Sequence, residues 1–275
     1  MLNFKAFKLP PHAAAVIVAT IAAAFCFTGG GCASDSDAKG QLDPGYADLE
    51  SRNYDAAIEK ADAFLAANAS GGTGSAEALY LRGRALEQKV AANPHESRQN
   101  LQSARSAYVD ALSRDPSPAL EGRIRASLAN VAYFQDDYAT ALDQWSAAYD
   151  KLDVPETRAW VLYRIGVSHQ RLGHFKQADK TFAAVIKEYP STLPAQRAKE
   201  HQGATGFVVQ VGTFNSAAGA DRATEAVRKQ GVTPVRATDT QGRHLVRVGP
   251  LKTYAQAQSI KSKFVESYPD ALIIP

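Results

Sequence analysis

Two different patterns in this chain each return after 37 residues. In the first, Ala129, Tyr138, Ala141, Trp145 and Ala148 are followed at that distance by Gly166, Phe175, Ala178, Phe182 and Val185. In the second, Val209, Val211, Gly212, Phe214 and Ser216 are followed by Val246, Val248, Gly249, Leu251 and Thr253, and Ala220, Ala223 and Val227 by Ala257, Ile260 and Phe264. A repeat of this size is one supersecondary unit that buries its apolar face against a copy of itself, so each pattern narrows the fold sharply. Their local periods differ. Spacings of three and four in the first pattern predict helices. The alternation Phe207-Val208-Val209-Gln210-Val211 that opens the second predicts a strand. A helical-repeat segment followed by a small α/β module is therefore expected.

The helical pattern recurs upstream at Gly83, Ala104, Tyr108, Ala111 and Pro116, with a longer link around Asn93-Pro94, and in reduced form at Asn53 to Ala57. About four repeats thus fill residues 45–200, with Ala195 to Gly203 finishing a capping helix. Small residues such as Gly166 and Ala178 mark places where paired helices cross closely. Trp145, Trp160 and the tyrosines, at helical spacing, read as core. The segment Trp160 to Pro190, with Gly166, Gly173, Phe175, Ala178, Phe182 and Pro190, resembles a tetratricopeptide (TPR) repeat, although His169 stands where that family commonly has Tyr. The resemblance implies a solenoid whose groove receives a protein or peptide partner.

Each half of the C-terminal pattern reads as a strand, a Gly turn, a helix capped by Ser216 or Thr253, and a second strand. Two halves make a four-stranded sheet with both helices on one side. Alternation turns Val209, Val211, Val246 and Val248 toward the helices and Val208, Gln210, Leu245 and Arg247 outward, with Arg236 joining the outward set from the second strand. From Gly206 to Pro275 there are nine Lys or Arg against five Asp or Glu, which leaves the middle of the chain mildly acidic and weakly favours an anionic partner for this end.

Phe207-Val-Val-Gln-Val-Gly-Thr-Phe214 and Leu245-Val-Arg-Val-Gly-Pro-Leu251 resemble the two halves of a SPOR domain. The resemblance implies a ribonucleoprotein-like βαββαβ fold that binds peptidoglycan glycan strands stripped of their stem peptides. It places Gln210 on the motif glutamine and Thr213 on the hydroxyl residue three positions on, both at the glycan face. His244 stands near where some members carry an aromatic. Stripping leaves a lactyl carboxylate on each muramic sugar, which Arg236 and Arg247 are expected to accept bidentately. Gln210 and Thr213 would satisfy acetamido and hydroxyl groups.

Lys5 and Lys8 precede an uncharged apolar run, Ala13 to Phe27, which as a helix spans only about 22 Å and falls short of a bilayer. With Gly29 to Gly31 following, residues 1–31 read as a secretory signal peptide. Both cysteines, Cys26 and Cys32, lie in the first 32 residues, so the rest of the chain holds neither a disulfide nor a cysteine zinc site. Thr28-Gly-Gly-Gly-Cys32 resembles a bacterial lipobox, with Gly29 where the family usually has an aliphatic. The resemblance implies lipidation of Cys32, a tether over residues 32–44 and, with Ala33 and Ser34 following, a periplasm-facing place on the outer membrane. An ordinary cleaved signal with an incidental cysteine is the alternative.

The six histidines show no metal-ligand spacing, and no P-loop, dinucleotide or nucleophile-elbow motif occurs, so neither cofactor nor metal is expected. Asp136-Asp137 falls at a repeat turn and reads as exposed. The expectation is a non-catalytic envelope adaptor acting in cell division or wall remodelling, with residues 206–275 as its glycan module. The alternative is a peptidoglycan hydrolase localised by that module. Single-stranded RNA on the same sheet is disfavoured by the export signal and the lack of stacked aromatics on the outer face.

Overall fold

The computed structural model describes residues 33–69 and 71–275; the signal segment and Cys32 lie outside them. The chain divides into two compact units, one holding the described residues up to Ser168 and the other running from His169 to Pro275. Among the described residues no helix is long and apolar enough to cross a membrane.

The first unit is a run of antiparallel helices: α1 (Ala33–Glu50), α2 (Tyr54–Ala67), α3 (Ser75–Gln88), α4 (Pro94–Leu112), α5 (Pro118–Phe134), α6 (Tyr138–Tyr149) and most of α7 (Pro155–Arg171). From α1 to α6 each helix packs on the next, and α3 also touches α1 and α5. The repeat positions are the buried ones. Ala57, Ala104 and Ala141 on α2, α4 and α6 are fully enclosed, as are Tyr108 and Trp145 one turn later. Val161 and Ile165 of α7 join Trp145, Ala129 and Ala141 in one cluster.

Several helices start where the sequence offers a cap. Asn93 accepts from the His95 and Glu96 amides beside Pro94, Ser117 from Leu120 beside Pro118, and Asp137 from Thr140. The turns inside the repeats share one geometry. Arg52, Asp136 and, in the second unit, Gly173 take positive φ, and the next amide in each case reaches back five residues: Asn53 to Asp48 O, Asp137 to Ala132 O, His174 to His169 O. This is the Schellman closure of a helix end.

The stretch expected as a tether is instead helical. Leu42 is buried against Ala61, Phe64, Ala78 and Leu81, with Tyr46 and Leu49 packed at its side. Leu42, Tyr46 and Leu49 recur at spacings of four and three and so form one helical face, which draws the segment into the repeat core.

In the second unit α8 (Phe175–Glu188) and α9 (Leu193–His201) pair. They precede β1 (Phe207–Phe214), α10 (Ala217–Lys229), β2 (Val235–Thr238), β3 (His244–Leu251), α11 (Tyr254–Ser262) and β4 (Leu272–Ile274). The sheet is antiparallel with strand order β2-β3-β1-β4. Ser216 caps α10, and Thr253 forms a reciprocal capping box with Gln256 on α11. Ala220, Ala223 and Val227 of α10, with Ala257 and Phe264, cover Val209, Val211, Val246 and Val248 on one side of the sheet.

This core reaches back beyond residue 206. Phe175 packs against it with its ring centroid 5.5 Å from that of Phe207, the Arg171 guanidinium lies 3.3 Å over the Tyr254 ring, and Asp179 accepts the Gly203 amide at 2.9 Å.

Candidate functional site

The face of the sheet opposite the helices carries a polar trio at its centre. Arg247 on β3 donates from Nε (3.1 Å) and Nη2 (3.0 Å) to the side-chain oxygen of Gln210 on β1. The Gln210 amide nitrogen in turn donates to Thr213 Oγ1 at 3.1 Å. Gln210 and Arg247 are half-buried, and Thr213 is exposed.

Strict alternation would put Thr213 on the helix side, since residues three apart on a regular strand face opposite ways. A bulge reverses this. The pairing runs Gln210 with Arg247, then Gly212 with Val246, so β1 holds one residue more than β3 at Val211. The extra residue returns Thr213, opposite Leu245, to the face of Gln210. Gly212 sits where an added Cβ would lie 2.7 Å from the Phe214 ring, so any other residue at the bulge would have to displace that ring.

Register extends the site across all four strands. Val235 of β2 lies opposite Arg247, Arg247 opposite Gln210, and Gln210 opposite Leu272 of β4. The row thus reads apolar, cation, amide, apolar, and its two ends are open, Val235 at 47% exposure and Leu272 at 42%. Val208 and Ile274 pair beside it. Sequence reading missed Val235 and Leu272, because each belongs to a strand too short to show an alternation.

Two expected site residues need correction. Arg236 pairs with Val246, which faces the helices, and donates to Asp221 Oδ1 at 2.6 Å and Thr224 Oγ1 at 3.3 Å on α10. It belongs to the helix side because β2 meets β3 one residue out of the phase that simple alternation assumed. His244 pairs with Phe214 and Thr238, two residues from Val246, and shares their side rather than that of Gln210. Leu245 keeps the side of Arg247, opposite Thr213, but is buried between Ala237 and Thr213 on the adjacent strands. Of the expected residues the structure therefore brings Gln210, Thr213 and Arg247 together and leaves Arg236 and His244 apart.

Residues 203–275 match the family model of the SPOR domain. The C-terminal module is a SPOR domain. Residues 160–192 match the tetratricopeptide repeat model, and the helical repeats are TPR-like. The crystal structure of MamA protein is a looser likeness, 16% identical with a TM-score of 0.42 over 61% of this chain and 84% of that one. No curated protein matches the chain.

In the helical unit two buried polar clusters are closed by internal hydrogen bonds. Tyr46 donates to Glu77, which Arg123 also reaches at 3.3 Å, and Tyr108 donates to Glu87 at 2.6 Å, with Asn130 at 3.4 Å on the other oxygen. Burial, reinforced by the neighbouring Glu77 or Glu87, holds the Tyr46 and Tyr108 hydroxyls well above their ordinary pKa, so both remain donors. These clusters tie α1, α3, α4 and α5 together.

Proposed function

We propose that this chain is a non-catalytic adaptor of the bacterial cell envelope. Its SPOR domain holds peptidoglycan glycan strands that have lost their stem peptides, and its TPR-like helices engage a protein or peptide partner in cell division or wall remodelling. Cys32 is the lipid attachment point in this reading, placing the protein on the periplasmic side of the outer membrane. One observation carries the glycan assignment: Gln210, Thr213 and Arg247 form a connected polar patch on the uncovered face of a SPOR sheet. Stripped strands expose acetamido and hydroxyl groups that an amide and a hydroxyl can meet.

The test is co-sedimentation of the purified chain with wall sacculi, amidase-treated or untreated. Selective retention on treated sacculi, lost in Gln210→Ala, is the expected result. Equal retention on both, or on neither, ends the proposal. Zymography addresses the hydrolase alternative, for which no clearing band is expected.

A further inference from the structure

We infer that Arg247 is a positioning residue for the Gln210 amide, and that the sheet reads the neutral acetamido groups of its ligand rather than the lactyl carboxylates; this rests on the glycan reading above. An arginine that receives a carboxylate presents two parallel N–H groups along one edge of its guanidinium. The Nε–Nη2 edge of Arg247 is already taken, because both donors converge on the single oxygen of Gln210, which leaves only its Nη1–Nη2 end for an anion. That grip also decides which way the amide points. Turned over, the Gln210 NH₂ would face two guanidinium donors with no acceptor between them. Held as it is, the NH₂ spends one hydrogen on Thr213 Oγ1 and keeps the other, while the Thr213 hydroxyl keeps its own hydrogen. Adjacent N–H and O–H donors of neutral groups suit a carbonyl oxygen such as that of an acetamido group.

The rest of the face agrees. The second arginine expected to meet carboxylates, Arg236, is on the helix side in an ion pair with Asp221. Val235 and Leu272 close the two ends of the Arg247–Gln210 row with exposed apolar surface. Such ends match the methyl groups and flat ring faces of an N-acetylated sugar chain and offer nothing to an anion. The charge of Arg247 persists, but a single half-exposed charge changes affinity by only about fivefold or less.

The experiment compares equilibrium binding of the purified full chain to two preparations of soluble, peptide-free glycan strands, one native and one with its carboxyl groups converted to neutral amides. Arg247→Lys, Arg247→Gln and Gln210→Ala are measured alongside, with melting curves to confirm folding. The wild type is expected to bind both preparations within about fivefold. Arg247→Lys, which keeps the charge without the two-pronged grip, is expected to weaken as much as Arg247→Gln, by about tenfold. A loss beyond about tenfold on neutralising the strands, or full binding by Arg247→Lys, would overturn the inference while leaving the glycan reading intact. Failure of the wild type to bind either preparation removes the glycan reading itself, and this one with it. The strand comparison uses the unaltered protein, so it stands even where a variant misfolds.

Discussion

Arg123 in the helical unit and Arg247 on the SPOR sheet are held by different partners, and the partner decides what each is available to do. Arg123 reaches the Glu77 carboxylate, and Arg125 and Lys151 share Glu121, whose acidity rises through those two hydrogen bonds. Charge meets charge there, and the Arg123–Glu77 pair fixes α5 on α3. Arg247 instead meets a neutral amide, which fixes geometry without cancelling charge or consuming every donor. Both regions repeat at 37 residues, but stacking a helical hairpin covers its face, whereas pairing two strand-helix-strand halves leaves one face of the sheet bare. Stability is concentrated where faces are covered, and the proposed recognition lies where one is not.

The most forceful way to break that contrast is to damage each region separately. Trp145 is fully buried, packs near Tyr133 with centroids 5.6 Å apart, and has the Arg164 guanidinium 5.4 Å above it. Trp145→Ala is expected to cost the helical unit about 3–5 kcal/mol while leaving glycan binding in place. Gln210→Ala, on an open face, is expected to abolish glycan binding with a stability change within about 0.5 kcal/mol. Melting curves and sacculus binding on both variants check this. A Trp145 variant that loses binding, or a Gln210 variant that loses stability, would show that the two roles are not separated as described.

A pH titration probes the second unit alone. His201 on α9 donates from Nδ1 to Gln170 at 2.7 Å, and burial, then the nearby Arg171 and Arg197 guanidinium groups, lower its pKa to about 4. The unfolded imidazole titrates near 6.5, so the unfolded chain binds the extra proton between the two values. The contribution of His201 is thus complete above about pH 6.5 and is lost as pH falls toward 4, amounting to at most roughly 3 kcal/mol. Hydrogen exchange in α9 should accelerate over that window in the wild type and stay flat in His201→Gln.

A smaller effect is expected at the crossing of α3 and α4. A Cβ on Gly83 would stand 2.4 Å from the Tyr108 ring, which is fully buried and anchored to Glu87. Gly83→Ala should therefore cost about 1–3 kcal/mol, read as a lowered melting point of the helical unit. An unchanged melting point would mean the two helices separate without penalty and that tight crossing is not what the repeat pattern encodes.

Much of this was legible because it depends on periods. Helical spacing identified Ala104, Tyr108, Ala141 and Trp145 as core, and alternation identified Val209, Val211, Val246 and Val248, since burial selects apolar residues in step with the backbone. Turn closure was only partly legible: Gly173 announces its left-handed turn, whereas Arg52 and Asp136 occupy the same conformation without a glycine to mark it. The faces of the sheet were less legible still. A bulge at Val211 shifts phase in mid-strand, and the four residues of β2 are too few to show which phase they follow. Alternation put Gln210 and Arg247 on one face, but Thr213 rested on family resemblance, and only cross-strand register separates Arg236 and His244 from them. The packing of Arg171 and Phe175 onto the SPOR core has no periodic signature, because it joins elements of different periods.

The smallest expected effect discriminates most finely between the two faces. Arg236 pairs with Asp221 across partly exposed surface, an arrangement worth no more than about 1 kcal/mol. Arg236→Ala should accordingly shift the melting point little and leave glycan affinity within about twofold of wild type, since Val246, its partner in the ladder, points into the core. Arg247→Gln, one strand away and opposite Val235 rather than Val246, should show the reverse, with unchanged stability and weakened binding. Both residues are arginines on neighbouring strands of one small sheet, so long-range charge attraction would weaken both variants alike. A difference between them would arise from the face each occupies, and equal losses would mean that the sheet recruits its ligand by charge and that the order of residues across it does not matter.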